Sequence, residues 1–313
     1  MEVMRHIRAA GKQVVRLNGE TLANEALQIR LAQSGSRGDL QLDEAPLPLA
    51  DVRAVWYRRN QEHTMASDLD LGEAKGDILQ HVADEDRAFK KSLHGLLKHA
   101  HWLGSPETAV PNKLQVLHFA LEQGLEIPPT LVTTKKSDLL AFKRDYGDII
   151  CKPLGDCRVF SKNGSLLGMY TTKLDDTFLS SLPARFFPAM CQAYIKKSWE
   201  IRSFYLGEKF YSMAILSQCD PQTHQDFRRY NNKRPNRYIP YCLPAKIEIM
   251  LKKLMRAIKL KTGSIDLIRT PEKKFVFLEV NPVGQFSFVS ETCNYHLEKR
   301  VAEYLMEKAG CHA

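Results

Sequence analysis

FVFLEVNPVGQF (275–286) opens like a buried strand, with Val276, Leu278 and Val280 apolar, yet it carries Glu279 in mid-run and Asn281 two residues on. Side chains alternate across a strand, so Glu279 and Asn281 point the same way and the three aliphatics the other. Burying an unpaired carboxylate is costly, so an Arg, a Lys or a metal ion should compensate it. SIDLIRT (264–270) lies just upstream across a short turn at Pro271, which predicts an antiparallel hairpin. In that hairpin Ile265 and Leu267 face one side and Asp266 the other, so Asp266, Glu279 and Asn281 converge on one polar face. Two carboxylates and a carboxamide are all oxygen donors. Such a set suits Mg²⁺ far better than Zn²⁺, and Mg²⁺ held this way usually shares its shell with nucleotide phosphates. On spacing alone, pairing with arginines or a solvated sheet edge explains the two acids equally well.

The bulk composition excludes several classes. The 313 residues are 44% hydrophobic and 26% charged, which is globular and long enough for two or three structural units. No apolar run approaches the roughly 20 residues of a membrane helix, and MEVMRHIRAAGKQ (1–13) lacks the apolar core of a secretory signal. The seven cysteines show no CxxC spacing, which points to reduced thiols and a cytoplasmic setting. The net charge of +9 is dispersed rather than striped with aromatics. It suits phosphate ligands or an acidic peptide better than nucleic acid.

Along the chain, residues 2–11 read as a helix and KQVVRLNGE (12–20) as a strand. QIRLAQSG (28–35) and GDLQL (38–42) read as a hairpin or a pair of short strands, and VRAVWYRRN (52–60) as a strand. Residues 72–100 form a long helix, and the Gly- and Pro-bearing HWLGSPETAVPNK (101–113) is a linker. KLQVLHFALEQG (113–124) is a helix with Leu114, Leu117, Ala120 and Leu121 on one face and Gly124 at its C-terminal end. Residues 127–134 lead into a strand, residues 137–147 form a helix capped by Ser137, and DIICKPLG (148–155) is a strand. VFSKNGSLLGMYTT (159–172) is a hairpin turning at Asn163 and Gly164. Strands follow at 188–197 and at 199–216, the latter turning at Gly207. AKIEIMLKKLMRAIKLKTG (245–263) is an amphipathic helix ended by Gly263, and HLEKRVAEYLMEK (296–308) closes the chain.

GSIDLI (263–268) followed by FLEVNP (277–282) resembles the metal-binding signature of the ATP-grasp superfamily. The resemblance runs backwards in order through CQAYIKKSWEIR (191–202), DIICKP (148–153) and VPNKLQVLHFALEQGLEIPPTLVTT (110–134). Any one of these is weak; four in order are strong. VRLNGE (15–20) and VWYRRN (55–60) are similar to the region preceding the ATP-grasp in microviridin-type graspetide synthetases. DFRRYNN (226–232), RYIPYCLP (237–244) and EVNPVGQF (279–286) also resemble that family, closest to the grasp-with-spasm peptide maturases. The chain departs from that family at its start, where a β-strand and loop normally precede the first helix.

The resemblance implies an α/β (α+β) chain: an ATP-grasp fold whose two α+β subdomains clasp ATP, preceded by a small α/β domain. Its boundaries fall at 1–104, 105–188 and 189–313. It implies a cytoplasmic, ADP-forming ligase that uses ATP and Mg²⁺ on a precursor peptide with a leader and an acidic core. Glu or Asp side chains of that peptide would be joined to Ser/Thr hydroxyls as esters or to Lys amines as amides. A ligase adding an amino acid to a protein tail or small acid is the alternative. It implies no nucleic-acid or membrane partner and leaves room for a homodimer.

By the same resemblance Lys113 and Lys152 reach the phosphates, Gln192 and Ile195 lie on the adenine hinge, and Glu200 binds the ribose. Asp266, Glu279 and Asn281 hold the metal. Arg202 stabilises the transferred phosphoryl group, or else forms a structural salt bridge. Asp226 and Arg228 recognise the acidic core residue, and PLGDCRVF (153–160) covers the phosphates as a lid. The leader docks in the region 208–250, on the strand pair around EKFYSMAIL (208–216) and on the neighbouring helix KIEIMLKKLMRAIKL (246–260), whose Lys246, Lys252, Lys253 and Lys259 flank its apolar stripe. Cys151 reads as a small strand residue.

Overall fold

The computed structural model describes residues 1–17, 26–32, 35–41, 46–58, 72–155, 159–162, 165–168, 171–219 and 236–310. The chain divides into two compact units, Met1–Ala109 with His296–Ala313, and Val110–Tyr295.

The first unit begins with α1 (Glu2–Ala9), whose Val3 and Ile7 are buried. Residues 12–17, expected in a strand, belong to no regular element. The expected hairpin is present as β1 (Ala26–Ala32) and β2 (Gly35–Gln41), with β3 (Pro46–Pro48) beyond it. Strand β4 (Ala54–Trp56) pairs in parallel with β5 (His101–Leu103), and the long helix α2 (Lys75–Leu96) connects them. Leu93, Leu96 and Trp102 pack with the buried Leu49 and Leu97.

In the second unit α3 (Lys113–Glu122) starts at an Asn112 cap whose side chain accepts from the Gln115 N–H. Its buried residues are Val116, Leu117 and Ala120, whereas Leu121, expected on that face, is 53% exposed. Gly124 ends the turn at φ +81°, a left-handed conformation glycine adopts without strain. Then come β6 (Thr130–Lys135), α4 (Lys136–Tyr146) and β7 (Ile149–Lys152). Ser137 does not cap α4: the cap position is Lys135, and the Ser137 hydroxyl meets Asp138 inside the helix. The hairpin β8 (Val159–Lys162) and β9 (Ser165–Gly168), β10 (Thr172–Lys173), α5 (Asp176–Ser181) and β11 (Arg185–Ala193) complete the first half. Among the described residues β10, β7, β11 and β6 form an antiparallel sheet in that order. One face is covered by Leu139 and Phe142 of α4 and by Leu179 of α5.

The second half contains β12 (Trp199–Leu206), β13 (Lys209–Leu216), β14 (Arg237–Tyr241), α6 (Ala245–Ala257), β15 (Thr262–Arg269), β16 (Phe275–Asn281) and α7 (Ser287–Thr292). The strands form an antiparallel sheet in the order β14-β13-β12-β15-β16. Its core face carries Ile201, Tyr205, Ile265, Leu267, Phe277 and Val280 against Val116 and Leu117 of α3 and Leu251, Leu254 and Met255 of α6. Helix α6 stops at Ala257, and Lys259 turns the chain at φ +57°; Gly263, expected as its terminator, lies inside β15. The closing helix α8 (Leu297–Gly310), assigned from sequence to the last subdomain, instead packs on α1 and β4 of the first unit.

Candidate active site

The expected hairpin of β15 and β16 is present, but its alternation is not the simple one. Asp266 stands opposite Glu279, while the next residue, Leu267, stands opposite Phe277, so Leu278 is an extra residue in β16. A bulge of this kind shifts the parity of one strand by one position. Phe277 and Val280 therefore both reach the core, and the expected apolar set of Val276, Leu278 and Val280 does not hold. The same shift leaves Glu279 and Asn281 on the polar face with Asp266. That face carries two consecutive rungs: Arg202, Asp266 and Glu279 in one, and Phe204, Ser264 and Asn281 in the next. A periodicity reading cannot locate a bulge, because an inserted residue leaves composition and length unremarkable.

Within the first rung Arg202 donates from one nitrogen, Nη1, to both Asp266 oxygens at 3.0 and 2.8 Å. The two side chains are 9% and 16% exposed. The guanidinium also lies over the Phe288 ring at 5.8 Å, and its buried Nε has no hydrogen-bond partner. Glu279 is half-buried and Asn281 exposed. Behind the second rung Ser264 is buried with an unpartnered hydroxyl, and Gly284, at φ +48°, packs so closely that a Cβ would sit 3.2 Å from it.

The other sheet supplies a second polar patch. Cys151, Cys191 and Leu131 turn toward α4 and α5, so Lys152, Met190, Gln192 and Thr130 share the opposite face. Lys113, the first residue of α3, donates its ammonium to the Pro153 and Gly155 carbonyls at 3.0 and 2.8 Å, just past Lys152. The two lysines are thus brought to one end of β7. Gln192 was expected on the connecting hinge but sits within β11, 1% exposed. Its Nε2 donates to Thr130 Oγ1 at 3.0 Å, and its Oε1 is buried without a partner. The hinge itself is residues 194–198, with Ile195 half-buried in it. Burial pushes the Tyr194 hydroxyl up, the Lys173 ammonium partly opposing it.

At the far end of the hinge Glu200 is held from two sides. Lys197 donates to Oε1 at 2.7 Å and Ser217 to Oε2 at 2.9 Å. The Lys197 side chain is 3% exposed. Sequence reasoning missed Lys197 and Ser217; the spacing of three between a Lys and a Glu was the available signal for the first. Asp226 and Arg228 lie outside the described residues, as does part of the expected lid at 156–158.

Residues 1–109 match the family model of the MvdD pre-ATP grasp domain. The whole chain is similar to a RiPP-associated ATP-grasp ligase from Chryseobacterium gregarium, solved with ADP and a leader and core peptide. Identity is 25%, the alignment covers 98% of this chain and 92% of that one, and the TM-score is 0.85. It is similar also to the macrocyclase MdnC of Microcystis aeruginosa, solved with precursor peptide MdnA: 26% identity, 98% and 94% coverage, TM-score 0.81. MdnB of the same organism shares the fold at 22% identity over 97% and 94% of the chains, TM-score 0.75. No curated protein sequence matches significantly. The fold is the ATP-grasp fold of these ligases. Within that class the chain is similar from end to end to ligases associated with ribosomal peptides.

Proposed function

We propose that this chain is an ATP-dependent peptide macrocyclase. It activates Glu or Asp side chains of a ribosomal precursor as acyl phosphates. It then joins them to Ser/Thr hydroxyls or Lys amines of the same peptide. The observation that carries the reading is the rung of Arg202, Asp266 and Glu279, in a chain that aligns over 98% of its length with two such ligases.

The donor set fits Mg²⁺: Asp266 and Glu279 face each other, Asn281 lies two residues along the same face, and each offers oxygen. When bound, the ion supplies charge neutralisation at the transferred phosphoryl group. Lys113 and Lys152 hold the phosphates as compact positive charges. The unpaired Gln192 Oε1 accepts from an amine of the base, and Ile195 packs beside it on the hinge. Glu200, fixed by Lys197 and Ser217, takes the ribose hydroxyls. Arg202 keeps one face of its guanidinium for charge developing on the phosphoryl oxygens. Asp226 and Arg228 orient the substrate carboxylate. The carboxylate oxygen attacks the γ-phosphorus and ADP leaves; the hydroxyl or amine then attacks the acyl carbon, loses its proton and expels phosphate. Such catalysis rests on positioning and charge.

Among the described residues no helix is long and apolar enough to cross a membrane, and we assign the enzyme to the cytoplasm. The leader is assigned to β13 and α6. There Ile249 is 55% exposed, Lys246 and Lys253 are exposed, and Lys252 lies 6.0 Å from the Phe210 ring. Lys259, expected on the helix, follows it.

The test is mass spectrometry of a co-expressed precursor carrying acidic and hydroxyl residues. Loss of one water per ring is expected, poor processing of a core without its leader, and partial recovery with leader added separately. A bare core processed as fast as the full precursor would favour the small-acid ligase instead. A second expectation concerns Lys197. Replacing it by Met removes a charge-assisted bond worth about 1.5–3 kcal/mol, so ATP affinity should fall about tenfold to a hundredfold. Unchanged ATP affinity by calorimetry would remove Glu200 from the nucleotide site.

A further inference from the structure

We propose that Cys151 and Cys191 form a reversible thiol–disulfide site that clamps the Lys152 strand to its neighbour. The two residues stand directly opposite each other in the antiparallel register of β7 and β11. The Tyr194 N–H donates to the Asp148 carbonyl at 2.8 Å, one step beyond the Ala193–Ile149 pair. Hydrogen-bonded and non-hydrogen-bonded rungs alternate, so three steps from Tyr194 the Cys191–Cys151 rung is non-hydrogen-bonded. The other edge agrees: the Leu174 N–H donates to the Ile149 carbonyl at 3.0 Å, so the backbone of Ile149, and of Cys151 two residues on, is turned toward β10. Opposed residues in such a rung have Cα atoms about 4.5 Å apart, inside the roughly 4.4–6.8 Å that a disulfide spans. Both side chains lie on the face covered by α4 and α5.

The environments divide the labour. Cys191 is 1% exposed, while Cys151 is only half-buried. The Cys191 thiol donates to Cys151 and brings it down to about 7 against the opposing effect of burial, helped by a backbone N–H at Lys152. The same hydrogen bond, with burial, pushes Cys191 up. Cys151 is therefore the attacking thiolate and Cys191 the resolving thiol. With a hydroperoxide as oxidant, the Cys151 thiolate attacks one peroxide oxygen and the O–O bond breaks. This gives a sulfenic acid and a hydroxide (an alkoxide from an organic hydroperoxide), which takes up the proton Cys151 had released. Cys191 sulfur then attacks Cys151 sulfur, the S–O bond breaks, and hydroxide leaves with the Cys191 proton as water. Two thiols lose two electrons and the peroxide gains them. A dithiol reductant reverses the step.

The consequence falls on the next residue. A disulfide draws opposed Cβ atoms to about 3.8 Å, closer than the roughly 4.5–5.5 Å of an unlinked pair. That pull acts immediately before Lys152 and the Pro153 and Gly155 carbonyls that Lys113 grips. The expected effect on ATP rests on reading Lys152 as a phosphate ligand.

The experiment exposes the reduced full-length chain to hydrogen peroxide, maps its peptides without reduction, and titrates ATP before oxidation, after it, and after dithiothreitol. A Cys151–Cys191 linked peptide is expected, with severalfold weaker ATP binding restored by the reductant. In Cys191→Ala the reaction should stop at a Cys151 sulfenic acid that dimedone traps. Alkylation of Cys151 by iodoacetamide should rise with pH through about 7. Linkage through Cys157 or another cysteine, no linkage, or linkage without a change in ATP affinity would overturn the proposal. Reduced protein that binds no ATP would instead defeat the nucleotide reading, and the peptide map would still decide the thiol chemistry.

Discussion

Glu279→Gln is expected to abolish ADP formation while leaving the fold in place. The substitution keeps shape and one carbonyl oxygen but removes the negative charge opposite Asp266. Glu279 is half-buried and its neighbours across the rung are already bound to each other, Arg202 to Asp266. Neutralising it therefore strands no ion pair, and thermal stability should change little. Removing one preorganised charge from a phosphoryl-transfer site costs about a hundredfold to a thousandfold in rate. Coupled-enzyme detection of ADP, with precursor and Mg²⁺ present, measures it. A Gln variant turning over near the wild-type rate would sink the metal assignment, and unfolding of the variant would make Glu279 structural.

The convergence of Asp266, Glu279 and Asn281 was legible because it depends on short-range parity, and hairpin register is set by neighbours in sequence. The apolar side of the same strand was not legible, since the bulge at Leu278 depends on how β15 and β16 settle against α3 and α6. Gln192 shows a related limit. Sequence order placed it near the hinge, but only the ladder with Ile150 and Thr130 shows that it lies inside β11, where its buried side-chain Oε1 is left without a partner. Helix ends were misread where a tertiary turn decided them: Lys259 adopts a left-handed conformation that a glycine four residues earlier than Gly263 would have announced. The pairing of Cys151 with Cys191 lay beyond any local rule, because it needs β7 and β11 in register across the intervening chain.

Arg202→Met is expected to destabilise the protein by about 3–5 kcal/mol, the cost of stripping one partner from a buried ion pair. The guanidinium reaches both Asp266 oxygens through a single nitrogen, not as a parallel fork, and its Nε is unpaired. That geometry is weaker than a two-nitrogen clamp, which favours the lower end of the range. The loss comes mainly from leaving the Asp266 carboxylate in a low-dielectric face without the guanidinium. Removing both charges should therefore undo most of it. In Arg202→Met with Asp266→Leu the two apolar side chains fill the rung beside Phe288, and stability should return to within about 1 kcal/mol of wild type. Urea unfolding of the wild type, both single variants and the double variant closes the cycle. ADP formation should be lost in all three variants, so the cycle separates the stability of the pair from its use in catalysis. If Arg202→Met costs under about 1 kcal/mol, the pair is not a structural element of the sheet, and Arg202 is held for the phosphoryl group alone.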